Sequence, residues 1–322
     1  MKHRTNTEKV LDIVTVLDVS SCTRAEIAEK LAISLSGVSN IISEMKTERI
    51  IGEYKSKTGN GSSIYLKNDP VFAMANISRA KIDTVFFGYN LKISGRTSFP
   101  VDDTLFFDNC IITYFKLLSS TNPKLRHLCI TSDGIPDRGC FRNTGIDSLD
   151  GLPITEYAHE FMSNTIVTLE NKLTFIPHHY DGMCAIISHT DDILSSTIIH
   201  NGVNISCTNN SVVSNSPFGL NYKESVQEKL KYSASPDEYA SAVASLVNII
   251  SSLIQLDRIY FITDRYSSIE LCTNTIEAKS ILEHGASPIT MVPVIPIPSN
   301  EALFPERLLR KIRYINIDYI FN

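Results

Sequence analysis

The stretch from Thr23 to Lys46 constrains the fold of this chain more than any other part of the sequence. Thr23 and Glu26 form a T-x-x-E capping box, which predicts a short helix that begins at Arg24. Ser34 is placed to cap a second helix, and apolar residues then repeat at helical spacing: Val38, Ile41, Ile42 and Met45. Two short helices separated by a tight turn are typical of a helix-turn-helix that reads DNA.

The other face of the second helix is small and polar. Its members are Leu35, Ser36, Ser39, Asn40, Ser43 and Lys46. Such a surface suits a helix that lies close to base edges in a major groove. Contacts inside the groove are predicted for Ser36, Ser39, Asn40 and Ser43, with Ser34 and Leu35 completing the set at the start of the helix.

A helix over residues 7–17 precedes this pair, and a hairpin is predicted after it, with strands at 50–54 and 63–66. The order helix, helix, helix, hairpin is that of a winged helix-turn-helix domain, which we place at residues 1–68. Phosphates or the minor groove are the predicted targets of Lys46, Lys55, Lys57 and Asn60. The alternative is a winged helix that is used only for protein contacts.

Charge limits where nucleic acid could bind. The 322-residue chain has a formal net charge of −5, but residues 1–68 hold ten Lys or Arg against eight Asp or Glu. The remainder therefore carries −7, which disfavours nucleic acid on that part. Any basic footprint in the first 68 residues is local.

Composition places the chain among globular proteins. A hydrophobic content of 43% over 322 residues supports two or three domains. Seven scattered cysteines without a C-x-x-C pair indicate reduced thiols and a cytosolic protein. The sequence shows no opening signal peptide and no long apolar run, so we expect neither export nor membrane contact.

From residue 69 onward, predicted strands and helices alternate, which indicates an α/β fold. Strands are predicted at 71–76, 81–89, 91–99, 127–132, 165–169, 183–188, 193–200, 258–263 and 290–295. Helices are predicted after Asp103, at 154–162, after Ser235 and at 274–284. A second sheet is expected to open near residue 183, although no internal sequence repeat is visible.

Three motifs in this region resemble those of the ROK family, whose name abbreviates repressor, open reading frame and kinase. Residues 76–82 (NISRAKI) are similar to the I-S-R-G-E-I of its repressors. Residues 133–137 (DGIPD) are similar to its P-G-x-V-D turn, and residues 170–172 (ENK) to its E-N-D motif. The resemblance implies a two-lobed, actin/hexokinase-like body of ribonuclease H type. Lobe one would span about 69–182 plus the C-terminal segment, and lobe two about 183–304.

The departures from these motifs argue against catalysis. In the family's kinases the aspartate of E-N-D is the base toward a sugar hydroxyl, whereas Lys172 stands here and cannot accept a proton as a carboxylate does. The family's glycine-rich G-T-G-x-G-G-G run corresponds to residues 188–196, where Asp191 and Asp192 would repel ATP phosphates. We therefore expect no catalytic residue and no cofactor.

Metal binding is not expected either. The family's structural zinc cluster, C-x-C-G-x-x-G-C, is reduced to Cys207, which cannot complete tetrahedral coordination. His178, His179 and Asp181, and likewise His189 with Asp191 and Asp192, are interpreted as solvated polar residues of loops.

The family precedent for an effector is a sugar or sugar phosphate. Glu170 and Asn171 are candidate contacts for ligand hydroxyls, and Lys172 suits an anionic ligand through charge pairing. The alternative for Glu170 and Asn171 is a hydrogen-bonded strand end without a ligand.

The sequence thus predicts a cytoplasmic transcriptional regulator, a repressor of carbohydrate-related genes that binds a double-stranded DNA operator. The body would supply dimerisation, as a homodimer or a dimer of dimers, and sugar sensing. Two other functions remain open: an ATP-dependent sugar kinase with relocated catalytic residues, and a protein-interaction module.

Overall fold

A computed structural model describes residues 5–55, 62–101, 107–142, 144–175, 182–190, 193–201, 203–207, 233, 235–263, 294–298 and 304–322. The described helices are α1 (Asn6–Val19), α2 (Arg24–Leu31), α3 (Leu35–Thr47), α4 (Phe107–Thr121), α5 (Ile154–Phe161), α6 (Pro236–Leu253) and α7 (Glu306–Phe321). The described strands are β1 (Ile51–Lys55), β2 (Ser62–Leu66), β3 (Phe72–Ile77), β4 (Lys81–Phe87), β5 (Ile93–Pro100), β6 (His127–Ser132), β7 (Ile135–Asp137), β8 (Cys140–Arg142), β9 (Ile166–Asn171), β10 (Met183–Thr190), β11 (Ile193–His200), β12 (Val203–Cys207), β13 (Arg258–Thr263) and β14 (Val294–Pro298). The predicted helix at 274–284 lies outside the described residues.

Helices α1 to α3 and the antiparallel hairpin β1–β2 form an N-terminal unit, residues 5–66, in the order that the sequence predicts. The expected capping box at Thr23 and Glu26 is present, and Thr5 and Glu8 form another at the start of α1. Ala32 ends α2 in the left-handed region at φ 52°, which produces the tight turn before α3. Local capping therefore fixes the ends of the helices that carry the predicted DNA-reading surface.

The first sheet of the body is built around β3, in the order β5-β4-β3-β6-β9. Strands β4 and β5 are antiparallel to their neighbours, whereas β3, β6 and β9 run parallel. Helices α4 and α5 pack on one face of this sheet and bury a core with it that includes Ile111, Phe115 and Leu128. The carboxyl ends of β6 and β9 place the second and third motifs side by side.

The second sheet repeats this plan, in the order β12-β11-β10-β13-β14. Its first strand, β10, is again central, with antiparallel β11 and β12 on one side and parallel β13 and β14 on the other. The body therefore contains two sheets of ribonuclease H type, which is the expected actin/hexokinase-like α/β fold. The duplication lies in the topology, since the sequence itself shows no repeat.

Helix α7 has no counterpart among the helices predicted from the sequence. Its apolar residues Leu308, Ile312 and Ile317 belong to the same buried cluster as residues of the N-terminal unit and of β3 and β4, such as Ile13 and Phe72. One continuous core thus joins the N-terminal unit, α7 and the first sheet.

A close approach at Gly88 gives a first testable prediction. A Cβ at this position would lie 2.7 Å from backbone atoms of Lys67 and Asn68, just after β2. Replacing Gly88 with alanine should therefore lower the free energy of unfolding by roughly 1–3 kcal/mol, because backbone has to move. The matched control is Gly95→Ala in β5, where the nearest atom would be 3.7 Å away. Urea denaturation of the two variants should show a loss for Gly88→Ala alone.

A second prediction concerns His127 on β6, which is fully buried and whose Nε2 lies 2.9 Å from Thr168 Oγ1. Desolvation lowers its pKa from 6.5 to about 4. The unfolded chain takes up a proton on this histidine below pH 6.5, whereas the folded chain does so only near pH 4. The contribution of His127 to the free energy of unfolding is therefore full above pH 6.5, and roughly 3 kcal/mol of it is lost as the pH falls to 4. The free energy of unfolding, measured between pH 7 and 4, should fall with this slope against pH, and His127→Gln should make the slope smaller. An unchanged slope in the variant would assign the acid sensitivity to other groups.

Candidate nucleic-acid interface and the E-N-K motif of the body

The outer face of α3 is open to solvent. Val38, Ile42 and Met45 face the core, while the opposite side carries exposed Ser36, Asn40, Ser43 and Lys46 and half-buried Ser39. Leu35, at the first position of the helix, is 56% exposed, although leucine is usually buried. Apart from Lys46 near its end, the face consists of short polar groups and one apolar side chain, the combination that can approach base edges and a thymine methyl.

Some of these side chains already have partners on their own helix. The Ser34 hydroxyl accepts a hydrogen bond from the amide of Gly37 at 3.2 Å, so this residue acts as the N-cap of α3. The Ser43 hydroxyl donates to the carbonyl of Ser39 at 2.9 Å. The Ser34 hydroxyl is also 3.3 Å from the Ser36 hydroxyl. Ser34, Ser36 and Ser43 all stay exposed on the surface, so these bonds orient the groups without covering them.

Three charged side chains, Arg24, Lys46 and Glu53, form a trio joined by ion pairs beside the outer face of α3. The carboxylate of Glu53 on β1 accepts from Lys46 on α3 at 2.9 Å and from Arg24 at the start of α2. These hydrogen bonds, that from Arg24 first, hold the pKa of the Glu53 carboxyl below its usual range. Arg24 and Glu53 were not among the predicted site residues, although the position of Arg24 at the start of α2 is a visible signal. The trio joins α2, α3 and the hairpin, and so fixes their relative positions.

The hairpin is the candidate wing. Lys55 is exposed at the end of β1, whereas Lys57 and Asn60 lie outside the described residues. The rings of Tyr54 and Tyr65 lie 5.7 Å apart on one face of the hairpin, and both are substantially exposed. The Tyr54 hydroxyl is also 2.9 Å from the Ser21 hydroxyl, which attaches the hairpin to the segment before α2.

In the body, the residues of the E-N-K motif lie at the carboxyl end of β9. The Glu170 carboxylate accepts a hydrogen bond from Lys311 on α7. Asn171 is buried, and its amide donates to the Asp133 carbonyl at 2.9 Å and accepts from the Leu173 amide at 2.8 Å. Each candidate ligand contact thus has a protein partner in this structure.

The third residue of this motif, Lys172, pairs with Asp133. Its ammonium lies 3.0 Å from the Asp133 carboxylate, and both side chains are at most 10% exposed. Both residues depart from the ROK pattern, since Asp133 stands for the first residue of P-G-x-V-D and Lys172 for the last of E-N-D. Position 172 therefore carries an ammonium group that is paired with Asp133, and not a carboxylate that could act as a base.

The corresponding end of the second sheet holds a chain of buried polar groups. His189 Nδ1 lies 2.8 Å from the Tyr239 hydroxyl on α6, which lies 3.0 Å from the Thr263 hydroxyl at the end of β13. All three residues are at most 1% exposed. The interpretation of His189 as a solvated loop residue is therefore wrong, because the residue is buried near the end of β10. Asp191 and Asp192, like His178, His179 and Asp181, lie outside the described residues.

The described ranges contain neither a cluster of metal-ligating side chains nor a membrane-spanning helix. No three His, Cys, Asp or Glu side chains of these ranges are grouped as a metal site would require. None of the described helices is both long and apolar enough to cross a bilayer.

Comparison by sequence finds nothing, since no family model and no curated protein matches the chain. Comparison by structure does. A ROK family transcriptional regulator, a homologue of the E. coli MLC protein, superposes with a TM-score of 0.61 at 9% identity over 97% of each chain. The similarity to this regulator extends through both the N-terminal unit and the body.

Sugar kinases match a smaller share of the chain. The ROK hexokinase from Thermus thermophilus has a TM-score of 0.50 at 11% identity and covers 77% of this chain and 99% of its own. An inorganic polyphosphate/ATP-glucomannokinase from an Arthrobacter strain has a TM-score of 0.50 at 14% identity and covers 79% and 98%. About a fifth of this chain therefore has no counterpart in these kinases. This share equals the size of the segment before the body, residues 1–68. The chain therefore has the fold of the ROK family, whose solved structures include both a transcriptional regulator and sugar kinases.

Proposed function

We propose that this protein is a DNA-binding transcriptional regulator that reads an operator with α3. The observation that carries the proposal is the exposed, small and polar outer face of α3, which the body leaves uncovered. Such a face has no packing role in the fold, and its side chains match the donors and acceptors of base edges in a major groove. The match of a ROK transcriptional regulator to nearly the whole chain supports this assignment.

We further propose that the N-terminal unit is a winged helix-turn-helix and that the body acts without phosphoryl transfer. The Lys172–Asp133 pair supports the second point, because it occupies the place of the family's catalytic carboxylate with a neutralised charge. The body would then supply dimerisation, and two copies would read two half-sites. Sedimentation of the purified chain, alone and with DNA, measures the number of copies.

The proposed effector is a sugar or a sugar phosphate at the end of β9. A ligand hydroxyl there would compete with Lys311 for Glu170, since a carboxylate accepts from either donor. Co-purified small molecules in native mass spectrometry would identify this effector directly.

The experiment for the proposed function is fluorescence anisotropy with the DNA upstream of the protein's own gene, repeated at rising salt. We expect a specific complex whose affinity falls with salt as phosphate contacts release counterions. No complex at any salt would contradict the proposal and favour a protein-interaction module. A thermal shift with ATP and Mg²⁺ discriminates the kinase alternative, since a nucleotide that binds the folded chain raises its melting temperature.

A further inference from the structure

Helix α7 lies between the N-terminal unit and the first sheet, and it contacts both. Leu308 and Ile312 on α7 share one buried cluster with Ile13 of α1 and with Phe72 and Met74 of β3. The N-terminal unit is therefore packed onto α7, rather than only joined to the body by the chain segment after β2.

Polar contacts fix α7 against α1 at both ends. Arg313, 7% exposed, makes a two-pronged ion pair with the Asp18 carboxylate at 2.7 and 2.6 Å. The same guanidinium donates to the carbonyl of Tyr89 at 2.8 Å, and thereby joins α1, α7 and the segment just after β4. At the far end of α1, the Thr7 hydroxyl donates to Asn322 at 3.0 Å. Bidentate arginine pairs of this kind hold both position and orientation.

Two residues before Arg313, the same helix reaches the E-N-K motif, residues 170–172. The Lys311 ammonium binds the carboxylate of Glu170, and it also lies 5.2 Å from the centre of the Phe175 ring. Glu170 is at the carboxyl end of β9, directly before Asn171 and Lys172. A single helix therefore holds the end of β9 through Lys311 and the end of α1 through Arg313.

We propose that α7 couples the end of β9 to the packing of the N-terminal unit on the body, with Lys311 and Arg313 as positioning residues. A ligand that donates hydroxyl hydrogen bonds to Glu170 would release Lys311, loosen α7 and so change how α1 is held. Coupling of this kind needs a physical element that both sites bias, and α7 is such an element. The regulatory consequence of this inference rests on the proposed function, but the coupling itself does not.

The test is a charge swap read by hydrogen exchange in the full chain. Glu170→Lys and Lys311→Glu each place like charges together, which should weaken the packing of α7 against the body. We therefore expect the exchange rates of α1 amides to rise by about fivefold. The double variant E170K/K311E restores the attraction, and α1 exchange should return to within about twofold of the original protein. The matched control is Glu306→Lys, which removes an ion pair with Arg310 that lies within α7 and is exposed, and α1 exchange should stay unchanged.

If either side chain acted on its own, the double variant would combine the losses of the two single variants. Restoration of α1 exchange by the swap therefore shows that the attraction between positions 170 and 311 is responsible. The inference is overturned if both single reversals leave α1 exchange unchanged, or if the swap fails to restore it. If a reversal unfolds the whole chain, the milder Glu170→Gln and Lys311→Met variants are measured in the same way and decide between the same outcomes. DNA affinity is measured separately, so that absence of binding by the original protein would count against the proposed function and not against the coupling.

Discussion

Replacing Asn40 and Ser43 with glutamate is expected to abolish specific DNA binding without unfolding the protein. Both residues are exposed on the outer face of α3, so two carboxylates would stand against the phosphates and acceptor-rich base edges of the groove. We expect affinity for the operator to fall at least about 100-fold, since each lost or repelled base contact costs about 1–3 kcal/mol. The measurement is fluorescence anisotropy at fixed salt.

The matched control is Thr113→Glu with Ser120→Glu, which adds the same charge at two exposed positions of α4 in the body. This control should bind DNA nearly as well as the original protein, and both double variants should melt within a few degrees of it, because exposed substitutions cost little. If the α3 variant binds with unchanged affinity, α3 is not the reading helix.

Replacing Lys172 with aspartate is expected to have the largest effect on stability. The change restores the residue type of the family's kinases, but it places a second carboxylate beside buried Asp133 in place of an ammonium 3.0 Å away. Breaking a buried pair costs roughly 3–5 kcal/mol, and the new repulsion adds to this loss at pH 7. Urea denaturation followed by circular dichroism measures the loss.

The pH dependence of this variant has a defined sign. Two neighbouring buried carboxylates raise the pKa of one of them in the folded state, so the penalty is full above that pKa and fades as the pH falls through it. Stability relative to the original protein should therefore recover in part at pH 5. The double variant D133K/K172D, which exchanges the two charges, should recover most of the loss at pH 7, and its failure to do so would mean that the pair is not the cause.

The caps and periodic patterns of the N-terminal unit could be predicted because they are local. The capping box of Thr23 and Glu26, the cap at Ser34 and the proline start of α6 at Ser235 all act within four residues, and the structure contains each of them. The central strands of both sheets were predicted for the same reason, as short apolar runs bounded by turn signals.

Helix α7 was missed because its buried side is not wholly apolar. Arg313 and Asn316 lie there beside Leu308, Leu309 and Ile312, which breaks the pattern that a sequence window detects. Pro305 and the spacing of the apolar residues were the available signals. The polar members make sense only with their partners, since Asn316 accepts from the Tyr89 hydroxyl at 2.8 Å and Arg313 binds Asp18.

The E-N-K motif shows the same limit. Its resemblance to E-N-D marks the segment in the sequence, and the loss of a carboxylate at position 172 is visible there. That Lys172 is held by Asp133, and that Glu170 is held by α7, required the folded chain.

Taken by itself, the sequence determined the helices of the N-terminal unit, the central strands of both sheets and the polar surface of α3, since residues a few positions apart decide caps, periods and turns. Only the tertiary structure decided which charges neutralise each other, how one sheet plan is used twice and where the C-terminal helix lies. The physical reason is that these features depend on contacts between distant parts of the chain, such as Asp18 and Arg313, 295 positions apart. No local pattern specifies such a pairing, because it is selected by the packing of the whole molecule.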